Sequence, residues 1–218
     1  MNSSLKSAGL KLQRIQTDAD PAYPKLVRIY TESHPASERK PAHLLSSMIK
    51  RPEYVFLVAN KGNLIVGFSI ALCFLGSDAC LLEYMAVDHD LRNQGIGQFL
   101  FKGTMKFGQL SERYCIIEVD SDKSQAADNA DRIRRKLFYR RLGCREIGGL
   151  SYIMPPVSNS KPPAMELLVF RRELSQYIQK SQLKSWLESC YSQVYGMPAN
   201  DCRIESMLRN LPDSLQLM

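Results

Sequence analysis

The residues whose spacing can do chemistry concentrate in residues 82–100, LEYMAVDHDLRNQGIGQFL. A strand-like run ends near Val87, a short loop follows, and helical spacing begins at Gly95-Ile96-Gly97. Glycines at such a junction let the backbone come close to a ligand, and the first N–H groups of a helix have no partner inside it. Together with the positive end of the helix dipole, these donors suit a pyrophosphate or another anion. A dinucleotide fingerprint would need a third glycine at position 100, where Leu100 stands, and no Gly-Lys-Ser or Gly-Lys-Thr completes a Walker A loop. The pattern Arg/Gln-x-x-Gly-x-Gly/Ala fits as Arg92-Asn93-Gln94-Gly95-Ile96-Gly97.

Two carboxylates could act as a general base. On an alternating strand, Glu83 shares a face with Leu81, Met85 and Val87, and Glu118 sits between Ile117 and Val119 on a later apolar run. The plain alternative for Glu83 is an ion pair with a cation such as Arg132. Taken by itself, Tyr139 reads as a packing tyrosine with a hydrogen-bonded tip. His34, His43 and His89 lack metal-ligand spacing, and none of the six cysteines forms a Cys-x-x-Cys pair, so no metal site is expected.

The elements that must position these groups can be read from periodicity. Residues 10–15 suit a first strand, and 21–33 and 38–50 suit two helices. Residues 53–59 and 64–74 read as a hairpin closed at Asn60-Lys61-Gly62-Asn63, and 80–87 completes a three-strand meander. Helical spacing covers 95–110, a buried strand 114–119, and a helix 131–142 stopped by Gly143. On that helix Ile133, Leu137, Phe138 and Leu142 form an apolar arc interrupted by Arg134, for which the sequence offers no account. Residues 151–154 and 165–170 read as two further strands. A last helix from Ser181 carries Leu183, Trp186, Leu187, Cys190, Tyr191 and Val194 on one face and ends at Gly196. This order predicts one mixed sheet with helices on both faces, an α/β class.

The 218 residues are 44% hydrophobic and 23% charged, with a net charge of +7. That balance suits an anionic ligand. The first ten residues lack the apolar run of a signal peptide, and no run approaches 18 apolar residues. A cytoplasmic protein with reduced cysteines and no membrane partner is expected. Seven basic residues lie between Arg132 and Arg145, but aromatic interleaving is thin, which favours a solvated helix face over a nucleic-acid surface.

In this context, the segment around Gly95 resembles the coenzyme A pyrophosphate loop of the GNAT superfamily of N-acetyltransferases. The resemblance implies that Arg92, Asn93, Gln94, Gly95, Ile96, Gly97 and Gln98 hold the pyrophosphate of acetyl-CoA, and that Met85, Ala86 and Val87 pair with its pantetheine arm. Relatives usually have Arg-Gly or Gln-Gly where this chain has Arg92-Asn93. Phe138-Tyr139-Arg140-Arg141-Leu142-Gly143-Cys144 resembles the family's Tyr-x-x-Leu-Gly-Phe segment, which implies that Tyr139 protonates the leaving thiolate. Asn and Ala often precede that tyrosine by seven and four residues. Here they are Arg132 and Arg135, which implies a different pantetheine contact or an acidic acceptor. Glu83, on the strand where the family often places its glutamate, is the implied base, with Glu118 as its rival.

Residues 35–41, PASERKP, are similar to a Pro-x-x-Glu-Arg-Arg-Pro stretch of one bacterial subgroup. The resemblance spans roughly residues 8–171. It implies a GNAT-like acyl-CoA N-acyltransferase fold, with a central, mostly antiparallel sheet flanked by helices in residues 1–171. A helical extension, residues 172–218, would pack on that domain. The implied function is acetyl transfer from acetyl-CoA to a primary amine, on a small molecule or a protein. The alternative is a non-catalytic acyl-CoA-binding sensor or interaction module. The apolar stripe of the last helix suits core, a cap on the acceptor cleft, or a homodimer interface.

Overall fold

The computed structural model describes residues 9–35, 39–123, 129–156 and 163–218. The chain divides into two compact units, residues 1–73 with 82–111, and residues 74–81 with 112–218.

The first unit begins with β1 (Leu10–Ile15), α1 (Tyr23–Ser33) and α2 (Ala42–Met48). The hairpin β2 (Tyr54–Lys61) and β3 (Leu64–Cys73) follows, turning at Gly62 with φ of 61°. β1 lies antiparallel to β2, from Leu10 opposite Lys61 to Ile15 opposite Phe56. Every residue from Tyr54 to Ala59 is buried, as expected for a strand covered on both faces. On α1, Leu26, Ile29 and Tyr30 are buried. The second helix starts at Ala42, later than its periodicity suggests, because a residue before proline is pushed out of the helical region. Pro41 itself sits at ψ of 136°, and the expected start at Glu38 lies outside the described residues.

β4 (Ala79–Val87) runs through both units and leads to α3 (Ile96–Thr104). That helix is shorter than the expected 95–110. The Thr104 hydroxyl donates to the Leu100 carbonyl at 2.8 Å, and the N–H groups of Lys106 and Phe107 bond carbonyls three residues back. The chain tightens there and leaves the α-helix. Gly103 makes close packing possible, since a Cβ on it would lie 2.9 Å from Leu12 Cδ2.

In the second unit, Ala79–Leu81 of β4 pair in parallel with β5 (Tyr114–Asp120), Cys80 standing opposite Cys115. β5 pairs antiparallel with β7 (Met165–Phe170), which also pairs with the short β6 (Arg145–Glu146). The strand order is β1-β2-β3-β4-β5-β7-β6, a mixed sheet. A second, two-stranded sheet joins β8 (Tyr177–Gln179) and β9 (Ser214–Gln216), and α5 (Lys180–Tyr195) and α6 (Cys202–Leu208) lie between them in sequence. α5 buries Leu183, Trp186, Leu187, Cys190 and Tyr191, and Trp186 donates to Asp78 at 2.7 Å. The C-terminus clips onto β6 through paired backbone bonds between Glu146 and Met218.

Residues 151–154 are not a strand, contrary to expectation. Their backbone is satisfied from the side: the Tyr191 hydroxyl donates to the Ile153 carbonyl, and the Ile153 N–H approaches Met207 Sδ at 3.2 Å.

α4 (Asn129–Arg141) ends as expected, with Gly143 at φ of 95°. Cys144 N bonds Tyr139 O and Gly143 N bonds Arg140 O, the paired closure of a Schellman end. The apolar arc is not the buried face, however. Ile133 and Leu137 are 40% and 45% exposed, while Lys136 and Tyr139 are buried. The reason is a charge network. Lys136 Nζ meets Asp122 and Glu146 at 3.0 Å each and also Glu166, while Arg140 pairs with Glu146 and Lys123 with Glu166. Three cations face three carboxylates, so the polar side of α4 can turn inward. Arg134 then lies on the solvent side, paired with Asp131 at 3.1 Å.

Candidate functional site

In the first unit, β4 delivers Glu83, Met85 and Val87 on its less buried face, and Leu82, Tyr84 and Ala86 on its buried one. Met85 and Val87 pack with Ile96, Leu100, Ala59 and Val66. The approach is close: a Cβ on Gly67 would lie 2.8 Å from both the Ala86 carbonyl and Leu100 Cδ1. This packing fixes the end of β4 against the start of α3.

Between them the chain makes two left-handed residues. Asn93 has φ of 64° and Gly95 has φ of 82°. Asn93 is the sole non-glycine residue with positive φ among the described residues. Asparagine is among the few residues that tolerate this conformation, so the backbone can turn here without a glycine. Gly95 is the N-cap of α3, and no side chain caps it among the described residues. The first-turn amides are thus open to an anion, and alternating left-handed residues make a concave nest of N–H groups. Arg92 is extended and directs its Nε back toward the Val87 carbonyl at 3.5 Å.

The loop is braced from outside. Asp88 is buried, accepts Lys25 Nζ of α1 at 2.5 Å and caps the 3-10 turn His89–Leu91. The lysine hydrogen bond holds the Asp88 carboxyl below the usual carboxylate range. Nothing in local spacing announced this brace, because Lys25 and Asp88 are far apart in sequence.

Glu83 pairs with Lys40, whose Nζ lies 2.6 Å from Oε1; the two side chains are 6% and 17% exposed. A cation does stand beside Glu83, and it is Lys40. Neither Glu83 oxygen receives a well-aligned hydrogen bond among the described residues. Tyr54 and Tyr84 face this carboxylate, and burial together with the Glu83 charge pushes both phenols up. Tyr30, His34 and Tyr84 stack edge-on and tilted around Lys40, with ring centroids 4.8–5.5 Å apart.

In the second unit, Tyr139 is 7% exposed, and burial pushes its phenol up, so it stays protonated across the neutral range. Arg135 pairs with Asp120 at 2.5 Å, and Arg132 reaches the Ser121 carbonyl at 3.5 Å. Both arginines therefore rest on the end of β5. Glu118 accepts hydrogen bonds from Tyr152 at 2.5 Å and Tyr195 at 2.7 Å. With Arg134, Arg135, Lys136 and Arg140 all paired to carboxylates, the run of basic residues on α4 is largely neutralised. A surface cavity of about 570 Å³, lined by Lys180, Lys184, Glu205 and Arg209, holds none of the candidate residues. Among the described residues no group of His, Cys, Asp and Glu has the arrangement of a metal site, and no helix is long and apolar enough to cross a membrane.

Residues 52–146 match the family model described as "Acetyltransferase (GNAT) domain". No curated protein matches the chain. Among solved structures, a GNAT-family protein of Bacteroides thetaiotaomicron superposes with a TM-score of 0.70 at 22% identity, covering 86% of this chain and 99% of its own. The ribosomal-protein-S18-alanine N-acetyltransferase of Escherichia coli gives 0.52 at 16% identity, covering 76% and 96%. Arabidopsis thaliana NAA60 in complex with acetyl-CoA gives 0.53 at 14% identity, covering 74% and 97%. At these identities the structures speak for the fold, and the matched segment contains β4, the braced loop, α3 and Tyr139. Residues 52–146 therefore match a GNAT acetyltransferase domain, and the chain has the GNAT fold.

Proposed function

We propose that this protein is an N-acetyltransferase that joins the acetyl group of acetyl-CoA to a primary amine by direct attack. The observation that carries the reading is the junction of β4 and α3, where Asn93 and Gly95 turn left-handed and leave an uncapped helix start. In this reading the amides of residues 94–97, with Gln98 and the Arg92 side chain, hold the pyrophosphate. The strand edge at Met85, Ala86 and Val87 takes the pantetheine arm. Glu83 is the general base, because it is a buried carboxylate with hydrogen-bonding capacity to spare. Tyr139 is the general acid for the thiolate; its raised phenol keeps the proton it must give. Glu118 is the weaker candidate base, since two tyrosines already occupy its oxygens.

Residues 1–171 would form the catalytic domain and 172–218 an extension packed on it, in a cytoplasmic protein able to form a homodimer; the apolar stripe of α5 is buried within the chain and is not that interface. The similarity of residues 35–41 to a bacterial subgroup is part of the same reading. The acceptor is an amine of a small molecule or of a protein; the name of the Escherichia coli neighbour specifies a protein alanine, which keeps the second class in view.

The test is thermal unfolding with acetyl-CoA, with ATP and NAD as controls. Ligand at about 100 times its dissociation constant stabilises by roughly 2.7 kcal/mol, a shift of several degrees. A shift with acetyl-CoA alone supports the loop assignment, and its absence overturns it. Loss of turnover in Tyr139→Phe with the shift retained supports the acid, and unchanged turnover overturns it.

A further inference from the structure

A base can only deprotonate an amine that lies within hydrogen-bond reach, about 2.6–3.2 Å. Lys40 Nζ lies 2.6 Å from Glu83 Oε1. A primary amine of the protein itself thus stands where the base needs its substrate. We infer that Lys40 is an intramolecular acceptor, a site at which the protein acetylates itself.

The arrangement is held from three sides. The Lys40 N–H donates to the Tyr84 hydroxyl at 3.2 Å, and the Tyr30 hydroxyl donates to the Lys40 carbonyl at 2.8 Å. Tyr30 and Tyr84 touch each other edge to face, with centroids 4.8 Å apart. Next to it, Arg39 Nε donates to the His34 carbonyl at 2.9 Å, and its guanidinium sits 5.9 Å from the Tyr30 ring centroid. A surface lysine in a plain ion pair needs no such backbone clamp. Here both polar groups of the Lys40 peptide are fixed by buried tyrosines, and the side chain is left one destination, the Glu83 carboxylate. Pro41, which follows directly, keeps Lys40 extended and outside α2.

The step balances. The Lys40 ammonium gives one proton to Glu83, and the free amine attacks the thioester carbonyl of acetyl-CoA. The N–C bond forms and the C–S bond breaks. The leaving thiolate takes up one proton, and the second proton leaves to solvent. The product is Nε-acetyl-Lys40, which has no charge to pair with Glu83, so one turnover frees the base for an external amine.

The inference rests on Glu83 as base and acetyl-CoA as donor, and the experiment separates the two failures. The full-length protein is incubated with acetyl-CoA, digested and mapped by mass spectrometry, with thermal unfolding run on the same samples. The expected result is one acetyl group at Lys40, formed at a rate independent of protein concentration and far ahead of other lysines. In urea-unfolded protein that preference should vanish. Glu83→Gln, with Glu83→Asp as a second variant, should keep the acetyl-CoA shift and slow the modification about 100-fold. A normal shift with unmodified Lys40 overturns self-acetylation alone, as does a rate that rises with protein concentration. No shift at all overturns the donor assignment and this inference with it.

Discussion

Tyr195, on the last turn of α5, donates its phenolic hydrogen to Glu118 Oε2 at 2.7 Å, while Tyr152 donates to Oε1 at 2.5 Å. A residue of α5 thereby joins Tyr152 in bonding a carboxylate on β5. This relation bears on two questions, why the chain continues beyond β7 and which carboxylate is the base. An oxygen already holding a tyrosine hydrogen is poorly placed to take a proton from a substrate, whereas neither Glu83 oxygen receives a well-aligned hydrogen bond among the described residues, although Lys40 pairs with it and Tyr54 and Tyr84 stand nearby.

Tyr195→Phe should therefore act on stability more than on chemistry. Removing one donor from a largely buried carboxylate costs about 1–3 kcal/mol. The acetyl-CoA shift should persist, and the loss should appear as a lower urea midpoint with an unchanged slope. Glu118→Gln should retain most turnover, while Glu83→Gln should lose it by about 100-fold or more. The reverse ranking would move the base to Glu118.

Asn93 offers a sharper probe of the loop. Its left-handed backbone costs a branched residue about 1–2 kcal/mol and glycine nothing. Asn93→Gly should leave coenzyme affinity within a few-fold, and Asn93→Val should weaken it about tenfold by bending the amides away from the phosphates. Titration calorimetry with coenzyme A reads both. Equal affinity in the two variants would mean that the left-handed turn does not shape the site.

The charge network of α4 predicts a large effect from one lysine. Lys136 is buried among Asp122, Glu146 and Glu166. Burial alone would push its ammonium down, but the hydrogen bonds it donates to these carboxylates hold it well above the usual lysine range. Lys136→Met removes the central cation and leaves carboxylates facing one another, a change of about 3–5 kcal/mol. Chemical denaturation should show it, and a loss below about 1 kcal/mol would mean that the network relaxes into water.

What could be read from the sequence was the local part. The β4–α3 junction is legible because positive-φ glycines and an open helix start are requirements of neighbouring residues. Gly143 is legible for the same reason. The inner face of α4 was not, because Asp122, Glu146 and Glu166 meet Lys136 only once β5, β6 and β7 have assembled. The apolar arc of Ile133 and Leu137 therefore does not mark the inner face, and charge compensation decides it instead. The same holds for Glu83. Its place on β4 could be inferred from alternation, but its partner Lys40 arrives through Tyr30 and Tyr84, contacts that no periodicity encodes. Residues 151–154 had the composition of a strand, yet side chains of α5 and α6 supply their hydrogen bonds.

Acid stability should report one further contact. Asp201 caps α6 by accepting the Arg203 N–H at 3.0 Å, and it holds the Arg203 guanidinium through two 2.8 Å hydrogen bonds. The side-chain hydrogen bond to Arg203 first, then the backbone one, brings the Asp201 carboxyl down to about 2. A folded-state value below the unfolded one, about 3.9, means that the carboxylate stabilises fully above pH 4 or so and progressively less as pH falls toward 2. Arg203 also lies over the Tyr191 ring at 5.3 Å, so the cap ties α6 to α5. Other carboxyls held low, among them Asp88 and Glu166, lose their stabilisation over an overlapping range, so the wild-type acid limb alone assigns nothing. The difference between wild type and Asp201→Asn isolates the residue. It should be constant from pH 7 to pH 5, shrink below pH 4, and approach its minimum near pH 2, as read from unfolding midpoints at each pH. A gap that stays constant through the acid range would show that the cap works through its neutral hydrogen bonds rather than through its charge.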